Sequence, residues 1–334
     1  MKKILSLLLV FNSAFAFAQP ADVQQMLETA RAFQRQGDYD NAILVLIKAT
    51  QAVPGNTEVT KELAFTYYIA GQNDKALNEI KKLADAEDAD EQVFQIAGNI
   101  YKSKQDLKEA DKLYKKGLKK FPSSGALYSE YGEVLYLKDP GSAACIATWE
   151  KGIEVDPNFS SNYYNACRFY ATSGNNLWSI LYGEVFVNLE SYSTKTIEIK
   201  NLLFDTYKQW FLANNNENKA SAFEQQVTAT LNKQNKEASF GLTPEALTSI
   251  RTRFILEWYN TGTERPAFRL FDYQKQLLQD GLFEAYNQWL FGSVVSTAVY
   301  QNWVTTHTEE NAAFVKFQRG RIFKIPAGQY YGKQ

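Results

Sequence analysis

The sequence is poor in the residues that carry most catalytic and metal chemistry. Among 334 residues there are two cysteines, two methionines and one histidine. One imidazole and two thiols fall short of the usual zinc ligand set, and no C-x-x-C is present for redox work. G-x-S-x-G, H-E-x-x-H and a phosphate-cradling glycine loop are missing as well. Charge of one sign is also scarce. The 36 basic residues stand against 37 acidic ones, a formal −1, so the basic surplus that grips nucleic acid is absent. No apolar run reaches the length of a membrane-spanning helix, and no alternating strand pattern of any length occurs. These shortages set the expectation of no cofactor, no metal site, no nucleic-acid partner and no recognised catalytic residue.

What is plentiful is apolar and aromatic material. The apolar share is 45%, with 22 Phe, 20 Tyr and 6 Trp. That is enough for a folded core, and large amphipathic rings serve cores and binding surfaces alike.

Residues 1–18 read as a secretory signal peptide. Lys2 and Lys3 precede the short apolar run Ile4–Phe11, and Ala14, Ala16 and Ala18 supply A-x-A cleavage patterns before Gln19. The alternative is a retained N-terminal anchor. No cysteine follows the apolar run, so no lipoprotein anchor is expected there. Without Lys2 and Lys3, 34 basic residues face 37 acidic ones, a charge of −3. The expected product is exported, periplasmic or secreted, with no transmembrane segment after cleavage.

A ruler of about 34 residues runs through the next half of the chain. Gly37 recurs as Gly71, then as Gln105, Asp139 and Gly174. Seven residues before each stands a small residue: Ala30, Ala64, Gly98, Gly132 and Cys167. Three after those stands a large one: Phe33, Tyr67, Tyr101, Leu135 and Tyr170. A second small series is Ala42, Ala76, Ala110, Cys145 and Ser179. Pro54, Pro122 and Pro157 close three units, with Asp88 in the matching place of the second. Small side chains let two helices approach closely, and the large residue fills the space beside them. Glycine takes the left-handed turn that stops the first helix, and proline ends the second. Each unit is therefore helix, turn, helix, and it buries its apolar face only by stacking on its neighbours.

This pattern resembles the tetratricopeptide repeat family over residues 21–190. Four units fit well. The fourth carries one extra residue around Lys138–Ser142. The fifth departs in its second helix at Trp178 and Gly183, which reads as a hinge or as the junction with a following domain. The resemblance implies an all-α solenoid over residues 19–193. It also implies a concave groove lined by the first helix of each unit. One groove row would be Arg31, Phe65, Asn99, Glu133 and Arg168. A second would be Gln34, Tyr68, Lys102, Tyr136 and Ala171, and a third Leu27, Lys61, Gln95, Ser129 and Tyr164. The partner-binding candidates are Arg31, Gln34, Lys61, Phe65, Tyr68, Asn99, Lys102, Glu133, Tyr136, Tyr164 and Arg168. Arginine and tyrosine suit a binding surface; the alternative is that the rings fill gaps between repeats and the charges are solvated. Phe65 and Leu27 stand where the family's clamp for a C-terminal carboxylate needs polar groups, so that clamp is not expected.

Residues 194–334 lack the 34-residue period and read as a compact helical C-terminal domain. Thr194–Ala213 is one expected helix, and NNNENK at 214–219 a polar loop. Thr243–Pro244 opens another helix as N-cap and first residue, which NTGTERP at 260–266 ends. Residues 271–292 read as a helix bent at Gly281, with FEAYNQWLFG in the core or at a docking patch. Val299, Trp303, His307, Glu310, Phe314, Phe317 and Arg321 read as one stripe of a further helix. IPAGQYY is expected to be extended and docked.

His307 beside Glu310 is either a general base or half a metal site, or, as we favour, a hydrogen-bonded pair that orients a helix. Cys145 and Cys167 sit at small-residue positions, which explains them as core side chains; an oxidising compartment permits a disulfide between them. The reading that results is an exported scaffold or adaptor that binds a protein or peptide partner in its groove. Two alternatives stand beside it: an envelope enzyme with a carboxylate-based site in residues 194–334, and a structural subunit of an envelope assembly.

Overall fold

The computed structural model describes residues 23–213, 221–239, 241–260, 266–320 and 322–329. The signal-peptide segment, the 214–219 loop, residues 261–265 of the expected break, Arg321 and the last two residues of IPAGQYY lie outside them. Helices make up the described residues, with no strand among them. Contacts gather into two compact units, one ending at Lys104 and the other beginning at Gln105.

The first unit holds α1 (Val23–Arg35), α2 (Tyr39–Ala52), α3 (Thr57–Ile69), α4 (Asn73–Asp85) and α5 (Glu91–Ser103). Helices α1 and α2 pack as a pair, as do α3 and α4. The first pair stacks on α3, and the second on α5. The ruler explains the pairing. Ala30, Ala42, Ala64 and Ala76 are all completely buried. Gly37 and Gly71 both adopt φ +75°, the left-handed turn that a side chain resists. Side-chain caps repeat as well. Asp38 accepts from the Asn41 amide, Asn56 from that of Val59 and Asp90 from that of Val93.

The second unit opens with α6 (Leu107–Lys120), α7 (Gly125–Lys138), α8 (Ala143–Val155), α9 (Ser160–Thr172) and α10 (Asn176–Leu189). Gln105 takes the turn position of the missing glycine at φ +59°, alone among the described non-glycine residues. Asp139 does not: its φ is −154°, α7 runs on to Lys138, and Pro140–Gly141 absorb the extra residue. Phe121 and Asp156, the residues before Pro122 and Pro157, leave the helical region with ψ of 68° and 80°, in keeping with the proline ring's exclusion of helix before it. Gly132 shows why its position is small. A Cβ there would lie 2.2 Å from Nε1 of Trp149, which donates to the Ser129 carbonyl at 3.1 Å. Cys145 and Cys167 are unbonded and buried.

Helix α10 is buried on every side from Leu177 to Val187, the mark of a helix with packing partners all round. Trp178 and Gly183 follow from that. Trp178 donates to Glu224 at 2.5 Å, and a Cβ on Gly183 would meet Cys167 and Leu203 at 2.9 and 3.0 Å. One continuous core runs from Cys145 to Ile325 through this helix.

Beyond it come α11 (Thr194–Leu212), α12 (Ala222–Asn232), α13 (Asn235–Ala238), α14 (Pro244–Asn260) and α15 (Arg269–Gln279). Thr243 caps α14 by accepting from the Ala246 amide. The single bent helix expected over 271–292 is instead two. Gly281 at φ +69° separates α15 from α16 (Phe283–Asn287). A π-helical turn, Gln288–Gly292, then leads into α17 (Ser293–Val295). The stripe expected from Val299 onward is also broken. His307 ends α18 (Thr297–Thr306), and α19 (Thr308–Gly320) starts afresh. The segment 322–329 docks in extended form. Phe323 and Ile325 are buried, and Asn158 holds both the amide and the carbonyl of Ile325.

Candidate functional site: a cleft between first helices

In the second unit, α7, α9 and α11 lie side by side. Helix α9 touches both of the others, in the way that α3 touches α1 and α5 in the first unit. Between them opens a cleft of about 360 Å³, within the size range of ligand sites. Its lining includes four of the groove candidates: Glu133 and Tyr136 from α7, and Tyr164 and Arg168 from α9.

One end is apolar. Tyr136 is 37% exposed and Leu137 56%. Beneath them the Trp149 ring lies 6.1 Å from that of Tyr136 and 6.2 Å, edge-on, from Phe169. The other end is cationic. Tyr164 donates to Glu198 of α11 at 2.8 Å, and Arg168 Nε pairs with the same carboxylate at 3.0 Å. Arg168 and Lys195 both approach the Tyr164 ring, at 5.1 and 4.7 Å from its centre. Burial, and then the hydrogen bond to Glu198, push the Tyr164 phenol up to about 12, so it is a neutral donor at physiological pH. Glu133 accepts from Asn165 at 3.4 Å.

Residues 194–334 showed no period, yet α11 adds to this face. One further step of 34 from Tyr164 lands on Glu198. That was the available signal. Leu137, Trp149, Asn165, Phe169, Thr172 and Lys195 also line the cleft and were missed, because their side chains reach it from between the rows. Ser129 proves buried; it takes up Trp149 and Asn165.

The first unit carries the remaining candidates. Arg31 pairs with Glu62 and Glu58 at 2.8 and 3.3 Å. Gln34 donates to Glu62 and Thr66, and Lys61 pairs with Asp90 at 2.5 Å. These partners come from the next first helix or the turn before it, so the charges stitch neighbouring repeats. Phe65 is 39% exposed and sits 6.4 Å from Tyr68. Asn99 and Lys102 are half-buried on α5, and Leu27 is wholly buried.

The other chemical candidates are used structurally. The His307 ring stacks on Trp303 at 4.8 Å, and its Nδ1 lies near the Trp303 carbonyl and the Thr306 hydroxyl. Glu310 is exposed, and the expected His307–Glu310 pair does not form. Glu184 and Glu224 are the buried carboxylates among the described residues. Glu184, beside a small interior void, is taken up by Arg251, Gln274 and Tyr286. Glu224 receives Trp178 and the Ser221 amide.

The repeating helix pairs agree with a comparison of sequence families. Residues 33–100 match the family model described as tetratricopeptide repeat, over the stretch where Ala42, Ala64 and Ala76 join their helices. This stretch of the chain belongs to the tetratricopeptide-repeat family. No curated protein matches it. Several solved structures are similar to it at low identity. One is a thermophilic protein of Thermus thermophilus, 16% identical, covering 54% of this chain and 98% of its own, with a TM-score of 0.47. A second, from Parabacteroides merdae, is 13% identical over 82% of this chain and 99% of its own, TM-score 0.44. Also similar to this chain is the pilF protein of Pseudomonas aeruginosa, 14% identical over 69% of this chain and 96% of its own, TM-score 0.47. The tetratricopeptide-repeat fold implies a scaffold for protein–protein interaction.

Proposed function

We propose that this chain is an exported scaffold that holds a segment of another protein in the cleft between α7, α9 and α11. The observation behind this is the pairing of exposed Tyr136 and Leu137 with the half-exposed Arg168 and Lys195 in one concavity. Aromatic and arginine side chains in a concave setting are what interface hot spots are made of. Stacked helices hold them in place beforehand, so little ordering entropy is lost on binding. Export rests on residues 1–18 and is part of the proposal. No helix among the described residues is long and apolar enough to cross a membrane.

The test is co-purification from its native cell with the double variant Tyr136→Ala/Arg168→Glu, after circular dichroism establishes that both proteins fold alike. Partners held by the unaltered chain should be absent from the variant. Equal recovery with both would move the working surface elsewhere.

A further inference from the structure

The cations of the two units are treated differently. In the first unit Arg31 has two carboxylates and Lys61 has one. In the cleft of the second, Arg168 pairs with the carboxylate of Glu198 while its side chain stays 52% exposed. Lys195 is exposed and has no carboxylate partner among the described residues; its ammonium rests on the Tyr164 ring. Two positive groups thus converge on one ring, no farther apart than the sum of 5.1 and 4.7 Å. That is comparable with the screening length of roughly 8–10 Å at ordinary salt, so each feels the other. Glu198, shared between Arg168 and Tyr164, offsets one of them. An anion that reaches both would relieve the repulsion and accept from the exposed guanidinium of Arg168.

The α7 side differs. It carries the exposed apolar pair Tyr136 and Leu137, together with Glu133, whose charge also acts on the Tyr164 phenol. The cleft therefore has a direction for its occupant: apolar contact at α7 and negative charge at α9–α11.

Building on the cleft as the working site, we propose that its occupant is a peptide segment with an aspartate or glutamate side chain beside a large apolar residue. The acid pairs with Arg168 and Lys195. The apolar side chain covers Tyr136 and Leu137 over the Trp149–Phe169 floor. Reversing the acid to lysine places like charges together and rejects the segment.

The probe is a displayed random-peptide library selected against the full chain, with bound peptides resynthesised and measured by fluorescence anisotropy. Selected sequences should pair Asp or Glu with Phe, Tyr, Trp, Leu or Ile. Their affinity should fall roughly tenfold in Lys195→Glu and in Arg168→Glu, and should weaken with added salt. Tyr136→Ala should weaken them without altering the salt dependence. Selection against the Arg168→Glu/Lys195→Glu chain should turn to basic peptides. Neutral or basic peptides that compete through Tyr136 would overturn the acidic chemistry and leave the cleft as the site. Peptides indifferent to Tyr136, Arg168 and Lys195, or no selected peptides at all, would overturn the cleft reading too.

Discussion

Tyr164 donates its phenolic hydrogen to Glu198 at 2.8 Å, and the two residues are 34 positions, one repeat length, apart. The bond joins α9 to α11, across the place where the sequence loses its rhythm. Helix α11 keeps the spacing of a first helix without its small residue: Asn201 stands one step of 34 after Cys167. The groove face thus extends one helix beyond the last recognisable repeat, and that extension supplies Lys195 and Glu198 to the cleft.

Gly132 is the tightest of the small positions. A methyl there would press on the Trp149 indole and on its bond to Ser129. Gly132→Ala should cost about 1–3 kcal/mol despite the better helix propensity of alanine. Gly320→Ala, where nothing lies within 4 Å, should change stability by less than about 1 kcal/mol. Denaturant midpoints with unchanged slopes would read both. Equal effects would mean that α7 and α8 do not approach as closely as described.

Gln105 stands in a left-handed turn that Gly37, Gly71 and Gly174 fill at the same position of their repeats. A side chain in that conformation costs roughly 1–2 kcal/mol, partly offset by the lower chain entropy of a non-glycine residue. Gln105→Gly should therefore stabilise by about 0.5–1 kcal/mol, read as a higher midpoint. A lower midpoint would contradict the strain.

Glu184 and Arg251 form a salt bridge with side chains only 1% and 3% exposed. Asn287 also accepts from Arg251. Glu184→Gln leaves the guanidinium charge uncompensated in the core and should cost about 3–5 kcal/mol. The double change Glu184→Leu/Arg251→Met should recover part of that, since the unpaired charge is the main penalty. Thermal unfolding of the three proteins is the measurement. A double variant less stable than Glu184→Gln would show that the surrounding polar network matters more than the charge.

Lys200 donates to the Trp289 carbonyl at 2.8 Å and lies 3.6 Å over its ring. Burial lowers its amine from the ordinary 10.5 to about 7. The folded chain then releases a proton that the unfolded chain keeps. Stability should rise as the pH goes from about 7 toward 10.5 and stay flat below 7 on this account. Lys200→Met should remove that rise and be the more stable protein at neutral pH. Matched unfolding curves at pH 7 and pH 9 decide it; a parallel pH response in the two proteins would mean that the ring and carbonyl keep the amine charged.

Much of the fold was legible because each repeat position has a steric reason. Ala30, Ala64, Gly98, Gly132 and Cys167 had to be small, and all are buried. The helix breaks at Gly281 and His307 were less legible. Apolar spacing continues across both, and only tertiary packing shows that Leu282 and Thr308 begin new segments. The site was half legible. Glu133, Tyr136, Tyr164 and Arg168 come together, whereas Arg31 and Lys61 proved to be bound to carboxylates. A residue type on a row gives the direction of a side chain but not whether a neighbour has already claimed it.

Whether partners are held in the cleft between the first helices is tested most directly by site-specific photocrosslinking in the native cell. A photoreactive phenylalanine would replace Tyr136 in the cleft or Ala147, exposed on α8 and outside the cleft. Binding in the cleft predicts a discrete partner adduct from position 136 and none from 147. Adducts from 147 alone, or equally from both, would contradict it.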